Sequence, residues 1–159
     1  MTREIKGTLV FDMDGTIANF YGVETWLDDL KNENIRPYIE CEPLIDIDAL
    51  NLICDLFRAI GYKIVVTTWL AKNSSVEYKK AVRMAKLEWL NRVGFEYDEI
   101  HLVQYGTTKA NCTRKYDVPQ ILIDDNETVR NSWTLGETVN ANENILENLL
   151  NIFEKVVDR

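Results

Sequence analysis

The chain has 159 residues, which fits one domain with little left over for a second. Apolar residues make up 46% and charged residues 28%, a balance that excludes a disordered, collagen-like or fibrous chain. A net charge of −8 and a pI near 4.7 argue against a broad basic surface for duplex nucleic acid. They leave a small anionic substrate open, because a divalent cation inverts the local field inside an acidic protein.

No run of about 18 apolar residues is present, so no membrane partner is expected. The opening stretch MTREIKGTLVFD carries charges and lacks the long apolar segment of a secretory signal. Cys41, Cys54 and Cys112 are odd in number, widely spaced and without a CxxC pair. A disulfide framework or zinc site is therefore not expected, and a reducing cytoplasm fits best. A single histidine, His101, excludes a His-rich metal site.

The first element is a short apolar run, Thr8–Phe11, that reads as a buried strand and ends on Asp12. Asp12 and Asp14 are two residues apart, so extended backbone points both carboxylates the same way, and Gly15 permits a tight turn after them. Such a pair suits a magnesium site or a nucleophile with an acid partner. A solvated turn is the bland alternative. Residues from about 19 to 43, with Trp26, Leu27, Leu30 and Ile35 followed by Pro37 and Pro43, read as a short helical insertion over the sheet edge.

Ile47, Leu50, Ile53, Phe57 and Ile60 recur at helical spacing, and Gly61 closes that helix. A second strand, Lys63–Val66, leads into Thr67 and Thr68, whose hydroxyls and amides can hold a phosphate oxygen; strand threonines are common, so this signal is weak alone. Tyr78, Val82, Ala85, Trp89 and Val93 predict a helix opened by a Ser74-x-x-Glu77 capping box and stopped at Gly94. A third strand, Ile100–Val103, precedes Lys109, a cation that can neutralise phosphate and aspartate charge, although most lysines are surface groups. The fourth strand, Gln120–Ile123, runs into Asp124 and Asp125, which can complete a magnesium site begun by Asp12. A last helical stripe contains Ile145, Leu149, Ile152, Phe153 and Val156.

Strands alternating with helices predict an α/β fold: a Rossmann-like three-layer sandwich with a central parallel sheet and a short helical cap insertion. In such sheets ligands bind beyond the carboxyl ends of the strands, where all the polar residues above lie. Their order resembles the haloacid dehalogenase superfamily, with FDMDGT as first motif, Thr67 as second, Lys109 as third and LIDD as fourth. A two-component receiver domain uses similar residues in a different order. More closely, Ile17-Ala18-Asn19-Phe20, LIDDNETVRN and the helix with Lys86, Trp89 and Leu90 resemble the 5'(3')-deoxyribonucleotidase family, whose cap insertion is much longer.

The resemblance implies a magnesium-dependent phosphomonoesterase. Asp12 would be the nucleophile and Asp14 the acid and base. Thr67, Lys109 and the backbone of Thr68 and Gly15 would hold the phosphate. Asp12, the Asp14 carbonyl, Asp124 and Asp125 would hold Mg2+. Dehalogenases need only the first aspartate, whereas Asp14 fits a phosphatase, and a mutase would want a larger cap. The implied substrate is a nucleoside monophosphate; the alternatives are a polynucleotide end, another small phosphorylated metabolite, or a non-catalytic relative that binds magnesium or a partner. Trp26, Trp69 and Trp133 are candidates to stack on a base, against the commoner role of core packing.

Overall fold

The computed structural model describes residues 3–159. The apolar runs form β1 (Gly7–Phe11), β2 (Tyr62–Trp69), β3 (Glu99–Val103) and β4 (Gln120–Asp124), joined by a short β5 (Thr138–Asn140). All pair in parallel, in the order β3-β2-β1-β4-β5. Alternation along the strands feeds two layers. Leu9, Phe11, Ile64, Val66, Ile121 and Ile123 pack beneath α3 (Ile47–Ala59) and α7 (Ile145–Val157). Val10, Val65 and Leu122 face the other way, against α5 (Ala110–Thr113) and α6 (Glu127–Ser132). The result is a Rossmann-like α/β sandwich whose central strands are buried on both faces, as parallel sheets require.

The chain winds outward from β1 through β2 to β3, then crosses back to place β4 on the other side of β1. That reversal is the switch point at which open α/β sheets open a crevice. It lies between the carboxyl ends of β1 and β4, where Asp12 and Asp124 sit.

Residues 19–43 hold a 3-10 turn (Phe20–Gly22), α1 (Trp26–Lys31) and α2 (Arg36–Glu40). The base of this segment is pinched by the Asn19 N–H to the Glu42 carbonyl (2.8 Å) and the Leu44 N–H to the Ile17 carbonyl (2.8 Å). It rests on α4 (Val76–Val93) through Phe20, Tyr38, Tyr78, Val82 and Ala85. Trp89 Nε1 donates to the Cys41 carbonyl (2.8 Å), and the Tyr78 hydroxyl donates to the Asn34 carbonyl (2.9 Å).

The start of α4 differs from the sequence reading. Ser75, not Ser74, is the cap: its hydroxyl accepts from the Tyr78 N–H at 3.1 Å. The acid expected from Glu77 comes instead from Glu33 of the insertion, which accepts both the Ser75 N–H (2.8 Å) and the Ser75 hydroxyl (2.7 Å). A capping box was thus divided between two segments that no local pattern connects. β5, three residues of TVN, carries too little periodicity to be read from sequence, and α6 opens on Asn126, whose side chain accepts the Val129 N–H at 3.2 Å.

Tyr78→Phe deletes one of these bonds without changing shape and leaves the Asn34 carbonyl short of a donor. We expect it to lower stability by about 1 kcal/mol in urea unfolding. An unchanged midpoint would mean that the insertion is not held to α4 through this contact.

Candidate active site

β1 delivers Asp12 into the switch-point crevice, its N–H bonded to the Ile123 carbonyl of β4 at 2.9 Å. β4 ends on Asp124, whose Oδ1 accepts the Asn126 N–H (2.9 Å) and whose carbonyl accepts from Arg130 (3.0 Å). Between the two carboxylates lies Lys109, at the entry to α5 and only 4% exposed. Its ammonium is 2.7 Å from Asp12 Oδ1 and 2.8 Å from Asp124 Oδ2. The Thr16 hydroxyl donates to the other Asp12 oxygen at 3.0 Å, with Asp125 Oδ1 3.4 Å away.

Gly15 turns the chain with φ +83, and a β-carbon there would stand 2.4 Å from Asp125 Oδ2. The glycine therefore lets the first loop close against the second acidic pair. Its expected phosphate contact is corrected, because the Gly15 N–H is bonded to the Ala18 carbonyl at 2.8 Å. The N–H groups of Met13 and Asp14, by contrast, have no acceptor among the described residues, and they follow Asp12 directly.

The two threonines differ in their surroundings. Successive strand residues face opposite sides of a sheet. Thr68 thus faces the cavity above the aspartates. Thr67, on the strand next to Asp12 and on the same face as Val65 and Val10, carries a buried hydroxyl with no described partner. Trp133 is in the core, donating to the Gln120 carbonyl at 3.2 Å. Trp26 and Trp69 do line the cavity, a space of about 320 Å³ that reaches from Asp12 and Asp14 to an aromatic wall of Phe20, Tyr21, Tyr38 and Tyr105.

One residue escaped the sequence reading as a site group. Lys86, fully buried on α4, lies 2.8 Å from Asp14 Oδ2. A signal was present: Lys86 falls four residues after Val82 and three before Trp89, inside the apolar stripe. A lysine on that face requires a buried partner.

The charges separate the two aspartates of the first motif. Burial works to raise the Asp12 pKa, but the charge and hydrogen bond of Lys109 outweigh it and hold the carboxyl below its ordinary range. For Asp14 burial wins over Lys86, so its pKa is raised. An ionised carboxylate beside a carboxyl group inclined to keep its proton is a pairing that acid-assisted displacement can use. Asp125 is pushed up to about 7, by burial and then by the Asp12 charge. Lys109 stays firmly charged, since Asp12 and Asp124 overcome the effect of its burial.

Asp12, Asp124 and Asp125 can each offer one oxygen within 4.8 Å of the others, a group able to hold a metal ion. An all-oxygen carboxylate set suits a hard cation such as magnesium. The Asp14 carboxylate is outside this group, bound to Lys86; its carbonyl accepts no described hydrogen bond and stays available as the ligand assigned to it above.

No family model matches this sequence, and no curated protein does. A chain in the structure of the Pnkp1/Rnl/Hen1 RNA repair complex is similar, with a TM-score of 0.51 and 18% identity. The match covers 86% of this chain and 43% of that one, so this chain spans less than half of its structural neighbour. Likeness at that identity concerns the fold alone. Among the described residues, no helix is long and apolar enough to cross a membrane.

Two predictions follow from the geometry. Thr67→Val replaces an unpartnered buried hydroxyl by a methyl group of similar shape, and should leave stability equal or higher in thermal melts. Thr68→Val should weaken inorganic phosphate binding by about tenfold, the loss of one hydrogen bond to a charged group, read by calorimetry. Weaker phosphate binding in Thr67→Val, with none lost in Thr68→Val, would assign the phosphate contact to Thr67 instead.

The second concerns pH. The folded Asp125 pKa, about 7, lies above the ordinary 3.8, so the folded chain holds a proton that the unfolded chain releases. Stability from this group is complete below about pH 4 and is lost as pH rises toward 7. Without metal, wild type should therefore lose melting temperature relative to Asp125→Asn across that window. Magnesium should restore more at about pH 8 than at about pH 5, where it competes with the proton. An equal magnesium shift at both pH values would contradict this assignment.

Proposed function

We propose that this chain is a magnesium-dependent phosphomonoesterase of the haloacid dehalogenase type, with a nucleoside monophosphate as its substrate class. The observation that carries the reading is the Asp12–Lys109–Asp124 bridge, with Asp14 held separately two residues away. It supplies an ionised nucleophile, a cation beside it and a second carboxyl with a raised pKa, all facing one cavity.

In the proposed reaction an Asp12 oxygen attacks phosphorus and the ester P–O bond breaks. The leaving oxygen takes the proton from Asp14. Water then attacks the aspartyl-phosphate, giving its proton to Asp14, and phosphate leaves with Asp12 restored. Division into two displacements replaces one hard step with two easier ones. Lys109, the Thr68 hydroxyl and the Met13 and Asp14 amides would hold phosphoryl oxygens as charge spreads over them. Magnesium held by Asp12, Asp124, Asp125 and the Asp14 carbonyl would neutralise charge between nucleophile and phosphate.

The aromatic wall supports the nucleotide reading. Trp69 stacks at a tilt on Tyr105 with centroids 4.9 Å apart, and Trp26 lies 5.0 Å from Tyr21, giving apolar faces on which a base can rest. A phosphorylated polynucleotide end is the second reading, favoured only by the fold neighbour's membership of an RNA repair complex.

The test is phosphate release from nucleoside 5'- and 3'-monophosphates, sugar phosphates and a 3'-phosphorylated oligonucleotide, with magnesium and with chelator. Magnesium-dependent release from the mononucleotides is expected, and Asp12→Asn should lower it by at least about 10⁴-fold with the fold unchanged by circular dichroism. Release from the oligonucleotide alone would transfer the assignment to end processing. No release from any of them would favour a magnesium- or partner-binding protein instead.

A further inference from the structure

Lys86 remains outside the reaction just described, yet it is the most fully committed cation in the site. An ammonium has three protons to donate. Here they meet Asp14 Oδ2 at 2.8 Å, Thr68 Oγ1 at 2.6 Å and the Trp69 carbonyl at 2.9 Å. The side chain is fully buried, with the Tyr38 ring 5.4 Å away. No proton is left over for a substrate, so whatever Lys86 contributes passes through its partners.

Those partners are two groups of the cavity wall. Lys86 is the sole described hydrogen-bond partner of the Asp14 carboxylate. Thr68 accepts from Lys86, and no described residue accepts the Thr68 proton in return. A hydroxyl whose lone pair is turned to an ammonium directs its proton elsewhere, here toward the cavity that Thr68 lines.

We propose that Lys86 is a positioning residue: it holds the Asp14 carboxylate in place and fixes the Thr68 hydroxyl as a donor toward the phosphoryl group. The role rests on the phosphatase reading of the site. It also connects the insertion to the chemistry, because the cap residue Ser75 of the α4 that carries Lys86 donates to Glu33, and Tyr78 of the same helix donates to Asn34.

The test compares Lys86→Met with wild type, in magnesium, on a nucleoside monophosphate and on p-nitrophenyl phosphate. The first has a poor leaving group that needs a proton; the second departs without one. Loss of a positioned acid should lower kcat by about 100-fold on the nucleotide and by less than about 10-fold on the aryl ester. In an Asp14→Asn background the same substitution should cost less than about 10-fold on the nucleotide, because the Asp14 part of the loss is already gone and only the Thr68 part remains. Lys86→Gln, which keeps a donor, should recover part of the loss, and it carries the comparison if Lys86→Met does not fold.

Equal losses on both substrates, or a full loss persisting in the Asp14→Asn background, would overturn the proposal and leave the phosphatase reading intact. If wild type hydrolyses neither ester, that reading falls. Positioning is then decided by the crystal structure of the Lys86 variant: displaced Asp14 and Thr68 side chains uphold it, and unmoved ones overturn it.

Discussion

Lys109 is the counter-charge on which the rest of the site depends. Three carboxylates gathered within 4.8 Å repel one another strongly once withdrawn from water. A buried ammonium touching Asp12 and Asp124 together offsets that repulsion and keeps the first of them ionised. Its position follows from topology. The chain must cross from β3 back to β4, and Lys109 lies where that crossover enters α5, directly over the gap between β1 and β4. The sheet's reversal and the lysine's placement are two aspects of one geometry.

Two buried lysines divide the work in a protein whose net charge is −8. Lys109 sits with the aspartates that close β1 and β4, Lys86 with the second aspartate of the first loop. The carboxyls of Asp12 and Asp14, two residues apart, therefore shift in opposite directions. Different neighbours give one residue type two properties, which is how paired carboxyls take separate tasks in a proposed phosphoryl transfer. The insertion contributes on both sides of this arrangement. Its aromatic residues wall the cavity, and its polar groups fix the helix that brings Lys86 in.

Much of the architecture was legible because strands buried on both faces leave continuous apolar runs, and the acidic pairs follow those runs directly. The four longer strands and the helices around Leu50, Trp89 and Leu149 could be read from pattern alone. The different surroundings of Thr67 and Thr68 could not. Adjacent residues at a strand end face opposite layers, and nothing local says which layer holds the ligand. The resemblance makes Gly15 a phosphate contact, but its N–H closes its own loop, and its importance lies in the absence of a β-carbon beside Asp125. Lys86 was visible as a lysine within an apolar stripe, while its partners, 72 and 18 residues away in sequence, were not. The shared cap formed by Ser75 and Glu33 was hidden for the same reason.

The central claim, that Asp12 becomes covalently phosphorylated, is tested most directly by trapping. The protein would be quenched during turnover of a nucleoside monophosphate and reduced with borohydride, which converts an aspartyl-phosphate to homoserine, then mapped by peptide mass spectrometry. The account predicts homoserine at position 12, dependent on both substrate and magnesium. An unmodified Asp12 in protein that is releasing phosphate, or reduction at another residue, would contradict it.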